Sequence, residues 1–179
     1  MRKRVLSLFL LTALFLTAFS FTACKDEQFT VNDCVFTSFT AEDYDGNIID
    51  ETVFAEYKIT MISVWGTQCD GCRVEAPELV EINSEYASKG FQVIGIPVDK
   101  YTKQQASDAV EVIDELHIDF RNLKVYGNNV KQFVLGVEHL PYTIFVNAEG
   151  KQIGGGYSGA KSKTEWKKLI DSMLEFVSK

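Results

Sequence analysis

Two cysteines three residues apart, Cys69 and Cys72, sit in Trp65-Gly-Thr-Gln-Cys69-Asp-Gly-Cys72-Arg-Val-Glu-Ala-Pro77. They follow a run rich in β-formers, Lys58 to Val64, and open an amphipathic segment that reads as a helix to about Ser88. At a strand-to-helix junction such a pair can close a small disulfide ring. Cys69 then lies at the helix N-terminus, where unpaired N–H groups and the helix dipole stabilise a thiolate. Cys72 lies one turn further in, more covered, and able to attack a mixed disulfide formed on Cys69. Four chemistries compete for these residues: a redox dithiol, a zinc half-site, a Cu(I) site and a structural disulfide. Zinc is disfavoured, because four ligands are wanted and there is no second CxxC and no HxxxH. For Cu(I), His139 could add an imidazole to the two thiolates of Cys69 and Cys72, as a metallochaperone-like module would; an exposed loop histidine is the plainer reading. A structural disulfide is open only outside the cytoplasm.

The compartment is read from the first residues. Met1-Arg-Lys-Arg4 precedes an uncharged apolar run from Val5 to Phe21, and Phe21-Thr22-Ala23-Cys24 follows the pattern of a lipobox. Residues 1–23 are therefore expected to be a lipoprotein-type signal peptide, with Cys24 the lipidated residue. Phe21 stands where Leu is usual, and an uncleaved anchor is the alternative. Either way the rest of the chain is expected outside the cytoplasm, held to a bacterial cell membrane. Cleavage before Cys24 leaves 156 residues, one domain's worth, with 15 basic residues against 25 acidic. That surface argues against nucleic acid and against attraction to anionic lipid. Cys34 is left over, as a small buried hydrophobe or a third redox thiol.

Residues 24–33 read as a tether and 34–179 as the folded domain. Val35–Phe39 and Asn47–Ile49 flank the turn signal Tyr44-Asp-Gly-Asn47, which predicts an N-terminal β-hairpin. In the helix after the cysteines, Val74, Leu79, Ile82 and Tyr86 are expected on the inner face, and Gly90 should end it. Phe91–Val98 is a second buried strand. Thr102–Gln105 has the form of a capping box, starting a helix to Leu116 with Ala106, Ala109, Val110, Ile113 and Leu116 inward. A short extended piece near Phe120–Leu123 and a short helix near Asn128–Leu135 follow. Strands from Leu140 to Val146 and from Lys151 to Tyr157 flank the turn Asn147–Gly150. A second capping box, Ser162–Glu165, opens a last helix to about Val177, with Trp166, Leu169, Ile170, Met173 and Phe176 as its apolar face. Gly154-Gly-Gly156 lacks a following Lys-Ser/Thr, so it is a bulge or turn and not a phosphate loop.

The stretch from Trp65 to Leu79, the segments Tyr126-Gly127 and Gly136-Val137, and Leu140-Pro141-Tyr142-Thr143 with the strand after it resemble the thioredoxin superfamily. Within it the chain is similar to the TlpA/ResA-like group of membrane-anchored thiol–disulfide oxidoreductases. That resemblance implies an α/β, thioredoxin-like fold: a mixed β-sheet with an N-terminal β-hairpin and helices on both faces. It implies Cys69 as nucleophile and Cys72 as resolving thiol of a redox-active disulfide. It also implies a cis Leu140–Pro141 bond packed against them, with the Leu140 backbone free to pair with a substrate segment. Trp65 and Tyr142 could form an apolar rim around the sulfurs. The implied substrates are protein disulfides, and the implied electron source is a CcdA/DsbD-type membrane carrier, with no soluble cofactor and a monomeric chain. Two departures stand out. Asp70-Gly71 replaces the Gly-Pro or Pro-Pro between the cysteines, and Ser63 occupies the place of a buried proton-relaying Asp. Glu75, three residues past Cys72, is the nearest acid, and facing solvent is its plainer expectation. Asp70 disfavours a neighbouring thiolate, which lowers the potential and points to a disulfide reductant. Sco-type copper proteins carry a His comparable to His139, but their cysteines are spaced differently. A peroxiredoxin would want Pro-x-x-x-Thr-x-x-Cys, and Ile62 and Gly66 occupy those places.

Overall fold

Seven consecutive residues without a breaker, Ile59–Trp65, form the central strand β4, and all seven are buried. For numbering, the strands before it are β1 (Val31–Asn32), β2 (Thr40–Glu42) and β3 (Ile48–Asp50); those after it are β5 (Phe91–Pro97), β6 (Arg121–Asn122), β7 (Tyr142–Asn147) and β8 (Gln152–Ser158). The helices are α1 (Asp70–Tyr86), α2 (Lys103–Glu115), α3 (Val130–Leu135) and α4 (Lys163–Val177). The computed structural model describes residues 29–98, 103–125 and 129–179, and for residues 103–107 the backbone alone.

A strand apolar on both faces needs cover on both, and β4 has it. It pairs in parallel with β5 and antiparallel with β7, inside a six-stranded mixed sheet of order β1-β8-β7-β4-β5-β6. The β5–α2–β6 unit is a parallel crossover. On one face, Ile59, Met61 and Trp65 of β4 meet α1, α2 and α4 in a cluster centred on Leu79, Ile82, Ala109, Trp166 and Ile170. On the other, Ile62 and Val64 meet α3, the separate β2–β3 hairpin and two 3-10 turns carrying Phe36 and Phe54. Trp166 packs edge-on against Phe145 and Tyr157, and it is fully buried; a side chain of that size contributes about 2–3 kcal/mol or more by burial. The expected fold, mixed sheet with a hairpin and helices on both faces, is the one observed.

The differences are local and have physical reasons. The hairpin forms, but its first arm is Thr40–Glu42 with Ala41 facing Ile49, and Val35–Thr37 turns as a 3-10 helix. Four of the five residues from Val35 to Phe39 are apolar or β-favouring, a stretch that could go either way, and the buried ring of Phe36 selected the turn, packed among Phe39, Phe54 and Phe133. Part of the expected 24–33 tether is sheet: Val31–Asn32 pair with Ile153 and Gln152, and Phe29 is buried against Phe176. Val74 and Val110 point outward at 73% and 42% exposure, while Glu75, Ala76 and Val112 take the inner positions. Gly90 ends the helical region in the left-handed conformation (φ 86°), as expected. The Ser162 capping box is present in both directions. Residues 1–28 with Cys24, the Thr102 cap and Tyr126-Gly127 lie outside the described residues.

Candidate active site

β4 ends at Trp65, and four residues later Cys69 takes the N-cap position of α1 in an extended conformation. Its sulfur receives the Cys72 backbone N–H at 3.2 Å. The two cysteines form a disulfide, with Cα atoms 5.2 Å apart. Cys69 is half-buried and Cys72 is 4% exposed, so an incoming group reaches the first sulfur and not the second. Asp70, the first residue of α1, is exposed.

β7 starts one residue after Pro141, and the Leu140–Pro141 bond is cis. Pro141 is held from two sides. Its carbonyl accepts the Gly159 N–H at 2.8 Å, and its ring faces Gly71, where a Cβ would stand 3.6 Å from Pro141 Cδ and from Ala160 Cβ. A proline 69 to 72 residues from the cysteines in sequence thus borders the first turn of their helix. Leu140 is half-buried and packs against both core clusters.

The other expected rim residues separate. Trp65 is buried on the α1 face, and its Nε1–H donates to Asn122 Oδ1 at 3.0 Å. Tyr142 packs with the opposite cluster, its ring near Phe133 and its hydroxyl lying over Gly156, where any Cβ would collide with it. It is therefore turned away from the cysteine helix and forms no rim with Trp65. His139 is exposed in the bend before Pro141. Among the described residues, no group of three or more His, Cys, Asp or Glu is placed to hold a metal ion. Cys34 lies at the far end of the sheet, its sulfur donating to the carbonyl of Gly150 in the β7–β8 turn at 3.1 Å. Burial pushes its thiol up.

Glu75 is the residue the sequence placed worst. It is 2% exposed, and its Oε1 accepts the Lys161 backbone N–H and the Trp166 Nε1–H, both at 2.8 Å. Burial pushes its carboxyl above the ordinary range, and the two N–H donors oppose that rise. Glu75 also lines a small enclosed cavity with Ser63, Trp65, Cys72, Ala76, Leu79, Ile118 and Phe120. Its volume, about 10 Å³, is room for about one water. The missed signal was in the register. A buried stripe anchored on Cys72 runs through Glu75, Ala76, Leu79 and Ile82 at helical spacing, which excludes Val74. Nothing in the sequence marked Asn122 or the Gly159–Lys161 segment.

A family model described as the AhpC/TSA family matches residues 32–152, more than half of the chain. The thiol-disulfide oxidoreductase ResA of Oceanobacillus iheyensis is 26% identical over 98 residues, 54% of this chain and 47% of that protein. The thiol:disulfide interchange protein DsbE of Pseudomonas aeruginosa is 31% identical over 93 residues, 52% of this chain and 47% of that one. The chain thus spans about half the length of the curated relatives it matches. Among solved structures, a thioredoxin-family thiol:disulfide interchange protein of Chlorobium tepidum superposes with a TM-score of 0.64 at 21% identity, covering 76% of this chain and 93% of that one. At that identity the likeness speaks for the fold.

Proposed function

This chain belongs to the AhpC/TSA family, and from that premise we propose that it is an extracytoplasmic thiol–disulfide oxidoreductase that reduces protein disulfides through Cys69 and Cys72. The observation that carries the reading is the asymmetry of the pair: a reachable sulfur on a helix N-cap, joined to a covered one beside a buried carboxyl, with Pro141 alongside. In the reduced protein the Cys69 thiolate attacks one sulfur of a substrate disulfide. A Cys69–substrate bond forms, and the other substrate sulfur leaves as a thiolate and takes up a proton. Cys72 then gives up its proton, and Glu75, which lines the same water-sized cavity, receives it. The Cys72 thiolate attacks Cys69 Sγ and releases the second substrate thiol. The substrate gains two electrons and Cys69–Cys72 is oxidised, so the cycle balances only if a reductant restores the dithiol. A membrane thiol carrier of the CcdA/DsbD type would serve, reached through a lipid on Cys24.

The direction rests on Asp70, whose charge next to Cys69 works against the thiolate and so against the reduced form. Pro141 borders the first turn of α1 at Gly71, and with Leu140 it would form the surface along which an extended substrate lies. A peroxidatic cycle is not supported, because Ile62 and Gly66 stand where that chemistry wants Pro and Thr.

The test is Cys72→Ser in the full chain. Without the second thiol, Cys69 should accumulate mixed disulfides with extracytoplasmic proteins, identified by mass spectrometry after non-reducing separation, and Cys69→Ser should abolish them. A Cys72→Ser protein that captures nothing, while wild type fails to reduce a model protein disulfide, rejects the reading.

A further inference from the structure

Asn122 lies on the two-residue strand β6, 4% exposed, and bonds to two walls of the cavity behind Cys72. Its Oδ1 accepts the Trp65 Nε1–H at 3.0 Å, and its Nδ2 donates to the Phe120 carbonyl at 2.9 Å. Trp65 and Phe120 both line that cavity. The arrangement also specifies a residue on β5: a Cβ at Gly95 would collide with Asn122 Oδ1 and stand 2.9 Å from Trp65 Nε1. Three strands thus converge on one buried amide, and no part of the exchange chemistry itself uses it. A buried side-chain amide is costly unless its polar atoms are satisfied, and here oxygen and nitrogen each have a partner.

We propose that Asn122 is a positioning residue for the dithiol: it holds Trp65 and the Phe120 segment together as the lid of the cavity behind Cys72, and so sets how much water the resolving thiol meets. The inference rests on the exchange cycle proposed above, because it concerns the ionisation of Cys72 during resolution. Releasing the lid admits water, which favours the charged thiolate and carboxylate over their neutral forms. Among the described residues, the polar groups that line the cavity with Cys72 are Glu75 on its own helix and Ser63 on β4, while Asp70 at the start of α1 is exposed. From the segment before α4, Lys161 acts on Glu75; from α1 itself, so does Glu78. Arg73 is paired with Glu115 of α2.

The experiment uses the full chain carrying glutathione as a mixed disulfide on Cys69, and follows release of glutathione as Cys72 closes the ring across a range of pH. In wild type the rate should rise with pH to a high midpoint. Asn122→Ala should lower that midpoint by about one pH unit. Trp65→Phe, which keeps a ring but has no N–H to hold, should lower it similarly. The double variant should add little to either single one, as partners in one contact do. Asn122→Gln, which keeps both an acceptor for Trp65 and a donor for the Phe120 carbonyl, should return most of the wild-type profile. If Asn122→Ala does not fold, Trp65→Phe against Asn122→Gln decides. Unchanged midpoints in Asn122→Ala and Trp65→Phe, with wild type closing normally, overturn the inference and leave the cycle standing. Failure of wild type to release glutathione at any pH overturns the cycle itself.

Discussion

Glu75 carries a carboxylate into a place that favours a carboxyl, and this has a measurable consequence. Burial raises its pKa above the ordinary 4.5, so the folded chain holds this proton more tightly than the unfolded chain does. The stability linked to the group is complete below the unfolded value and is lost as pH rises through the raised folded value. Glu75→Gln keeps an oxygen for the Lys161 and Trp166 N–H groups and removes the titration. Urea midpoints of the two proteins should nearly coincide at about pH 4, and Glu75→Gln should pull ahead as pH rises. A gap that narrows with rising pH would contradict the assignment. The same variant should slow ring closure by Cys72 by about 100-fold, the usual size of a lost proton acceptor. Stability gained and rate lost in one substitution separates a working group from a structural one.

At the scale of elements, the turns are more demanding than the helices. α4 needs little explanation, since its capping box satisfies the exposed N–H groups at its start and its stripe of Trp166, Ile170 and Met173 is buried. The β7–β8 turn is more demanding. Gly150 has φ 70°, and a Cβ there would collide with the Phe36 carbonyl oxygen. That turn seats the 3-10 segment carrying Phe36 on the second core cluster, with Cys34 hydrogen-bonded beside it. Gly150→Ala should cost about 2 kcal/mol or more, read as a lower urea midpoint with an unchanged slope. A cost below about 0.5 kcal/mol would show that the turn and the segment yield to each other easily. Gly154–Gly156 has a different role. The pairing of β7 with β8 shifts register there, and the missing Cβ at Gly156 makes room for the Tyr142 hydroxyl.

The described residues build a six-stranded sheet beside the separate β2–β3 hairpin, and the β8 edge of the large sheet is closed by Val31–Asn32. Val31–Asn32 cover only the start of β8, and Phe29 anchors them against Phe176 and beside Gly154. Phe29→Ala should destabilise the chain by about 3 kcal/mol, as truncation of a buried ring does, with no change in the reactivity of Cys69 in the folded protein. Thermal unfolding together with alkylation of the reduced protein checks both halves; a loss of Cys69 reactivity would tie the edge to the site.

The strand leading into Cys69, its helix, the last helix with its cap and the hairpin turn were all legible in the chain. Each is written in local patterns: apolar runs, helical spacing and turn residues. The sulfur pair was legible for the same reason, since both cysteines sit on one turn. Cys72 shares a small cavity with Glu75 one turn on, yet the sequence misjudged that glutamate, because a charged residue on a buried stripe looks exposed until the donors that satisfy it are known. Those donors, Lys161 and Trp166, are 86 and 91 residues away, and Trp65 and Asn122 are 57 apart. Periodicity states which side of an element faces inward; only the order of strands in the sheet states what it meets there. Pro141, Asn122 and the Glu75 clasp were therefore decided by the tertiary structure.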